Sequence, residues 1–172
     1  MKSILISAVL ATVALGVAPC AMAASTDATA NAATVSYVNT EKMTDVPRDQ
    51  SDLESMKFNL QEHFNRLAAR LPAGQQLKVE IIDIDLAGDV FPRVAVQNIR
   101  VMKGRADWPR MHLRYTIEQN GAVLRSGDRQ LSDPNYLMGT NRYSSEMYGH
   151  EKEMLDDWFR KDVLTGGAKP QS

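Results

Sequence analysis

MHLRYTIEQNGAVLRSGDRQ, residues 111–130, reads as a β-hairpin. Asn120-Gly121 is the pair favoured in a two-residue type I′ turn, because both central positions need positive φ. Closing the turn there pairs Ile117 with Leu124 and Tyr115 with Ser126. Met111, Leu113, Tyr115, Ile117 and Leu124 then share a core face, and His112, Arg114, Thr116, Glu118 and Arg125 share a wet one. A hairpin that is apolar on one side needs a second layer to cover that side.

Upstream, Leu77–Leu86 is the strongest strand. Leu77, Val79 and Ile81 point one way and Ile82, Ile84 and Leu86 the other, which implies burial on both faces or a bulge near Ile81. Residues 87–92 turn the chain, and a weaker strand follows within Val94–Met102 through Ile99 and Val101. Val35 and Tyr37 flank Ser36 as a short first strand, and Asn39–Gln50 reads as a loop. Ser51 and Glu54 form a capping-box pattern ahead of a helix to about Arg70. Its stripe is Leu53, Met56, Leu60, Phe64, Leu67 and Leu71. After a loop over Ser132–Arg142, a last helix is expected from about Ser145 to Val163, with Tyr148, Leu155 and Phe159 on its stripe and Met147, Met154 and Trp158 widening it. The order β-α-β-(β)-β-β-α implies an α+β fold: a two-layer sandwich whose mostly antiparallel sheet of about four to five strands carries two helices on one face.

The ends are different in kind. Met1-Lys2, the apolar run Ile4–Val17 and Ala21-Met22-Ala23 make a secretory signal over residues 1–23, too short to span a bilayer. Pro19 before Cys20 argues against a lipoprotein, and cleavage after Ala23 removes the chain's single cysteine. A periplasmic protein without disulfides or a thiol nucleophile is expected. Residues 24–33 read as a flexible leader, 34–164 as one domain, and 165–172 as a disordered tail. Without Lys2 the chain has 19 basic and 21 acidic residues, a net charge of −2, which argues against nucleic acid as a partner. No later apolar run is long enough to cross a membrane.

Several segments together carry a resemblance. They are Leu71-Pro72-Ala73-Gly74-Gln75, Ile82-Asp83-Ile84-Asp85-Leu86-Ala87-Gly88, Ile99-Arg100-Val101, Asp107-Trp108-Pro109-Arg110 and Met154-Leu155-Asp156-Asp157-Trp158-Phe159. In combination they resemble the bacterial family called domain of unknown function 3016, over nearly all of the expected mature chain. The resemblance implies an exported envelope protein and assigns no activity. The order of elements is also similar to that of small outer-membrane assembly proteins of the lipopolysaccharide-export type, an analogy of fold that carries no function.

Three sets of residues could carry chemistry. Asp83 and Asp85 project from one face of a strand with Asp89 just beyond, and such oxygen ligands could hold calcium or magnesium. The alternative is pairing with Arg93, Arg110 or Arg114, or plain solvation. Trp108-Pro109-Arg110 could form an exposed lip that grips a partner, with Tyr136 as a further anchor, since Trp, Tyr and Arg dominate binding hot spots. The alternative places Trp108 over the core edge and Arg110 on Asp83 or Asp85. His63 borders the first helix stripe, His112 lies on the wet face, and His150 sits between Glu146 and Glu153 at helical spacing, a pattern that also fits a solvated charged face. The sequence has no Gly-x-Ser-x-Gly elbow, no Gly-rich phosphate loop and no zinc-protease helix.

The reading that follows is a non-enzymatic binding or envelope-accessory module without a cofactor, its partner an envelope protein or glycolipid. The alternative is a metal-dependent enzyme or metal carrier using Asp83, Asp85 and a histidine. Neither reading fixes an oligomeric state.

Overall fold

The computed structural model describes residues 31–90 and 100–165. The signal segment 1–23, most of the leader, the tail from residue 166 and most of the weaker strand after Val94 lie outside the described residues.

A four-stranded sheet has the order β1-β2-β5-β6. Its strands are β1 (Ala33–Tyr37), β2 (Gln75–Asp85), β5 (Arg110–Gln119) and β6 (Ala122–Ser132). β1 runs parallel to β2 because the helix α1 (Gln50–Ala68) connects them, while β2–β5 and β5–β6 are antiparallel. Two short strands, β3 (Asp89–Val90) and β4 (Arg100–Val101), pair beyond the end of β2. The second helix, α2 (Gly149–Trp158), continues as a π-helical turn over Phe159–Leu164. This is the expected α+β arrangement of a mostly antiparallel sheet with two helices.

The core lies between sheet and helices. Leu77, Val79, Ile81 and Ile84 of β2 and Met111, Leu113, Tyr115 and Ile117 of β5 are buried with Met56, Leu60, Phe64 and Leu67 of α1 and Leu155, Trp158 and Phe159 of the second helical segment. The pattern switch in β2 is a bulge. The register with β5 slips between Ile81 and Asp83, so Ile82 is the extra residue and Ile84 returns to the core face beside Ile81.

Four local expectations need correction. The turn at Asn120-Gly121 forms with φ values of 52° and 79°, but a second bulge lies between Ile117 and Glu118. Ile117 therefore pairs with Arg125 and Tyr115 with Gly127, so Leu124 is 52% exposed. Arg125 swings to the helix side, where Nη1 donates to the Val163 carbonyl at 2.5 Å. The N-cap of α1 is Asp49, not Ser51: its carboxylate accepts from the backbone N–H groups of Ser51 and Asp52 at 2.9 and 3.3 Å. α2 starts at Gly149 rather than Ser145, because Tyr148 holds a left-handed conformation with φ 57°. Gly149 is required there, since a Cβ would sit 2.2 Å from the Tyr143 carbonyl oxygen. Finally, the sheet begins within the expected leader: β1 starts at Ala33, and Asn31 donates its amide to the carbonyls of Leu71 and Pro72.

Candidate functional site

The segments singled out in the sequence meet where β2 ends and β5 begins. Past Asp85 the backbone of Leu86-Ala87-Gly88 leaves the sheet, and its carbonyls need donors. Arg100 supplies them. Its Nη2 donates to the carbonyls of Leu86 and Gly88 at 2.9 and 2.5 Å, and its Nε to that of Ala87 at 2.8 Å. The same guanidinium pairs with Asp45. The Ala87 N–H donates at 2.7 Å to Glu151, a carboxylate only 3% exposed at the start of α2. Gly88 has φ +74°, and a Cβ would lie 2.6 Å from Met102 Sδ and 2.8 Å from the Val101 carbonyl oxygen. Only glycine fits where β4 passes so closely.

Asp107 fixes the other side of this end. Its carbonyl accepts from Gly88 N–H, and its carboxylate accepts from the backbone of Lys103 and Arg105 at 2.5 and 2.8 Å. Burial pushes its pKa up, but hydrogen bonds from the Lys103 backbone and the Tyr136 hydroxyl outweigh this and hold it below the ordinary carboxylate value. Tyr136 is 8% exposed and also accepts from Gly104 N–H, so it props the 104–107 turn and is not an exposed anchor. Arg110 pairs with Asp85 at 2.6 Å and lies over the Trp108 ring at 4.5 Å. Trp108 is half-buried beneath it, so the lip is a packed edge with its arginine already engaged.

The three candidate carboxylates go to three different partners. Asp83 accepts from the backbone and hydroxyl of Thr44, both at 2.7 Å. Asp85 takes Arg110, and Asp89 takes Lys103 at 2.5 Å. The histidines are equally dispersed. His112 meets Asp128 at 2.7 Å on the outer sheet face, and His150 meets Asn141 at 3.2 Å and the Tyr136 ring. Among the described residues, no group of three His, Cys, Asp or Glu side chains could hold a metal ion.

Sequence reasoning missed a charged seam between α1 and α2. Glu151, Lys152 and Asp156 of α2 and His63 of α1 are all buried. Lys152 donates to Glu146 at 2.8 Å, and Arg66 reaches the same carboxylate at 2.9 Å. Those two cations, Lys152 foremost, pull the Glu146 pKa down to about 2. Asp156 takes Arg70 at 2.6 Å and Arg142 at 2.5 Å. His63 accepts at Nδ1 from Arg66 and packs edge-on against Tyr143. Burial first, then the Arg66 charge, lowers its pKa to about 4.

Two clefts open beside the sheet end, of about 360 and 610 Å³. Arg100, Met147 and Tyr148 line both. Met102 adds to the smaller and Val90 to the larger. Val90, Met102 and Met147 are 44%, 39% and 58% exposed.

Residues 31–161 match the model of one protein family, described as "Protein of unknown function (DUF3016)". The chain belongs to that family. The match takes in every strand and both helices, so family membership and fold describe the same unit. No match was found among curated proteins or among solved structures. No described helix is long and apolar enough to cross a membrane.

Proposed function

We propose that this member of the DUF3016 family is an exported, non-enzymatic module of the cell envelope that binds a segment of another envelope protein. The observation that carries the binding reading is the pair of clefts on either side of Arg100, edged by exposed Val90, Met102 and Met147. Exposed apolar side chains grouped around a groove mark interaction sites more often than those scattered singly. Methionine suits such an edge because its flexible thioether adapts to varied partners. The surrounding hydrogen bonds of Arg100, Asp107 and Glu151 hold backbone rather than substrate, which supports a rigid binding edge over a reaction centre. Export rests on the signal pattern over residues 1–23.

The test places a photocrosslinking amino acid at position 147 of the full-length chain in growing cells, with position 58 as control. Phe58 is 67% exposed on α1 and lines neither cleft. One discrete protein adduct from position 147, absent from position 58 and lost on Met102→Asp, is expected. Identical labelling from both positions would overturn the binding surface. Fractionation with sequencing of the processed N-terminus tests export separately, and Ala24 is the expected first residue.

A further inference from the structure

We propose that His63 is an acid switch: on taking up a proton it releases the 142–147 segment from α1 and reshapes the smaller of the two clefts beside Arg100. The segment leads into α2, and its residues Tyr143, Ser144, Glu146 and Met147 line that cleft. Arg66 of α1 ties it down. The guanidinium donates to the Glu146 carboxylate at 2.9 Å, lies over the Tyr143 ring at 5.7 Å, and donates to His63 Nδ1 at 3.4 Å. His63 is fully buried and meets the Tyr143 ring edge-on at 5.0 Å.

This arrangement admits only the neutral imidazole. Arginine has donors and no acceptor, so Nδ1 must turn its lone pair to Arg66, and the single ring proton sits on Nε2. Nδ1 is also where a second proton would have to go. Protonation therefore replaces a hydrogen bond by two donors and two positive charges face to face. Nε2 gives no relief, since it is buried and meets no partner among the described residues. The neighbours give none either. Lys152 and Asp156 face the ring from α2, Glu146 and Tyr143 from the segment, and Arg66 from α1. Both carboxylates are already shared, Glu146 by Arg66 and Lys152, Asp156 by Arg70 and Arg142. An imidazolium is hydrated only when the segment moves off α1. Burial first, then the Arg66 charge, accordingly set the buried ring at about 4 against 6.5 for an exposed one.

The fold places a hinge at the end of the segment. Tyr148 is held at φ 57°, a left-handed conformation uncommon for a bulky residue, and the Tyr143 carbonyl presses on Gly149 where a Cβ would stand. Lifting Tyr143 relieves both. The backbone bonds inside the segment are short turns, Ser144 N–H to the Asn141 carbonyl at 3.3 Å and Glu146 N–H to the Tyr143 carbonyl at 2.9 Å. Such turns open locally once their tertiary attachments are lost.

The test is hydrogen exchange of the purified protein at pH 7 and pH 5, read by mass spectrometry and normalised for intrinsic rates. Protection of residues 142–147 should fall about twentyfold between the two, the ratio set by a group that titrates at about 4 when closed and 6.5 when open. At both pH values it should lie below the protection of β2 and β5. His63→Gln keeps an acceptor for Arg66 and takes up no proton, so it should abolish the fall. His150→Gln removes the histidine that lines the same cleft and should leave the fall intact. A segment with unchanged protection, or a fall that survives His63→Gln, would overturn the switch. So would a segment as strongly protected as β2 and β5, because it would then open only with the whole domain. Should His63→Gln fail to fold, ¹³C-histidine resonances of the unmodified protein decide: the His63 ring should titrate well below 6.5, and titration at 6.5 in the fold would overturn the proposal. The consequence for the cleft rests on the binding reading above. The opening does not, because exchange is measured without a partner, so it is judged separately from crosslinking at position 147.

Discussion

Toward the sheet, α1 presents Met56, Leu60, Phe64 and Leu67; toward α2 and the loop before it, the same helix presents His63 and Arg66, with Arg70 just past its end. The first interface is apolar and closely packed, so its stability comes from area removed from water and is spread over many contacts. The second is a chain of paired charges, and its members gain little until every partner is in place. One helix thus carries two kinds of bond to the rest of the molecule. They should fail differently when a single side chain is removed or the pH is changed.

The apolar interface should give the largest effects. Phe64→Ala and Leu60→Ala remove fully buried side chains and should each destabilise by about 2–5 kcal/mol, the transfer term plus the cavity left behind. Urea midpoints measure this. Values near zero for both would mean that α1 does not cover β2 and β5.

The next effect belongs to His63. Its pKa falls from 6.5 in the unfolded chain to about 4 in the fold. Below pH 6.5 the unfolded chain binds a proton that the folded one refuses, so stability falls as the pH drops from 6.5 toward 4 and then levels as the folded form protonates. Over that window the loss should approach about 3 kcal/mol. Glu146 acts at lower pH: its folded pKa of about 2 lies below the ordinary 4.5, so its contribution is present above 4.5 and lost as the pH falls toward 2. Equilibrium unfolding at pH 7, 5.5 and 4 should therefore show a slope that His63→Phe flattens above pH 4.5. An unaltered slope in that variant would place the titrating group elsewhere.

Within the seam, removal and replacement should part company. Asp156→Ala leaves Arg70 and Arg142 without their shared carboxylate and should cost about 1–3 kcal/mol. Lys152→Met keeps the buried volume and leaves Glu146 to Arg66, so it should stay within about 1 kcal/mol of the parent. Equal losses in the two variants, read from thermal melts at fixed pH, would show that the seam is not organised as a network of pairs.

The same contrast decides what was legible from the residues. The apolar interface was, because period-2 and period-3.6 patterns report burial directly. Even the bulge in β2 was readable, since Ile81-Ile82 breaks an otherwise regular alternation. The bulge at Leu124 was not. Val123 and Leu124 are both apolar, and no local pattern says which residue is extra, so Arg125 was assigned to the wet face. The seam was hidden because nothing in the sequence marks Glu151, Lys152 and Asp156 as buried: Asp156 meets Arg70 and Arg142, Lys152 meets Glu146, and Glu151 meets the Ala87 backbone only once the chain is folded. Asp85, Trp108 and Arg110 were found as a group, but Arg100 was not, since its partners are mainly backbone carbonyls and carry no side-chain signature.

The smallest effect separates the two carboxylates at the end of β2, which look alike in sequence. Asp85 is paired with Arg110, whose side chain is 41% exposed and also stacked on Trp108. In Asp85→Asn the guanidinium loses its carboxylate but keeps the ring and gains water, so the loss should be about 1 kcal/mol. Asp83 instead accepts two hydrogen bonds from Thr44, one from the backbone. Asn at that position keeps the backbone bond through its amide oxygen, and its amide can donate to the Thr44 hydroxyl, which turns to accept, so a smaller loss of about 0.5 kcal/mol is expected. The two should differ in their response to salt. Screening weakens the Asp85–Arg110 pair, so the Asp85→Asn penalty should shrink between low and high ionic strength, whereas the Asp83→Asn penalty, which breaks no ion pair, should persist. Paired melting curves at two salt concentrations, with position 147 crosslinking as the functional readout, complete the comparison. Lost crosslinking with unchanged stability in either variant would make that carboxylate part of the binding edge rather than a brace behind it.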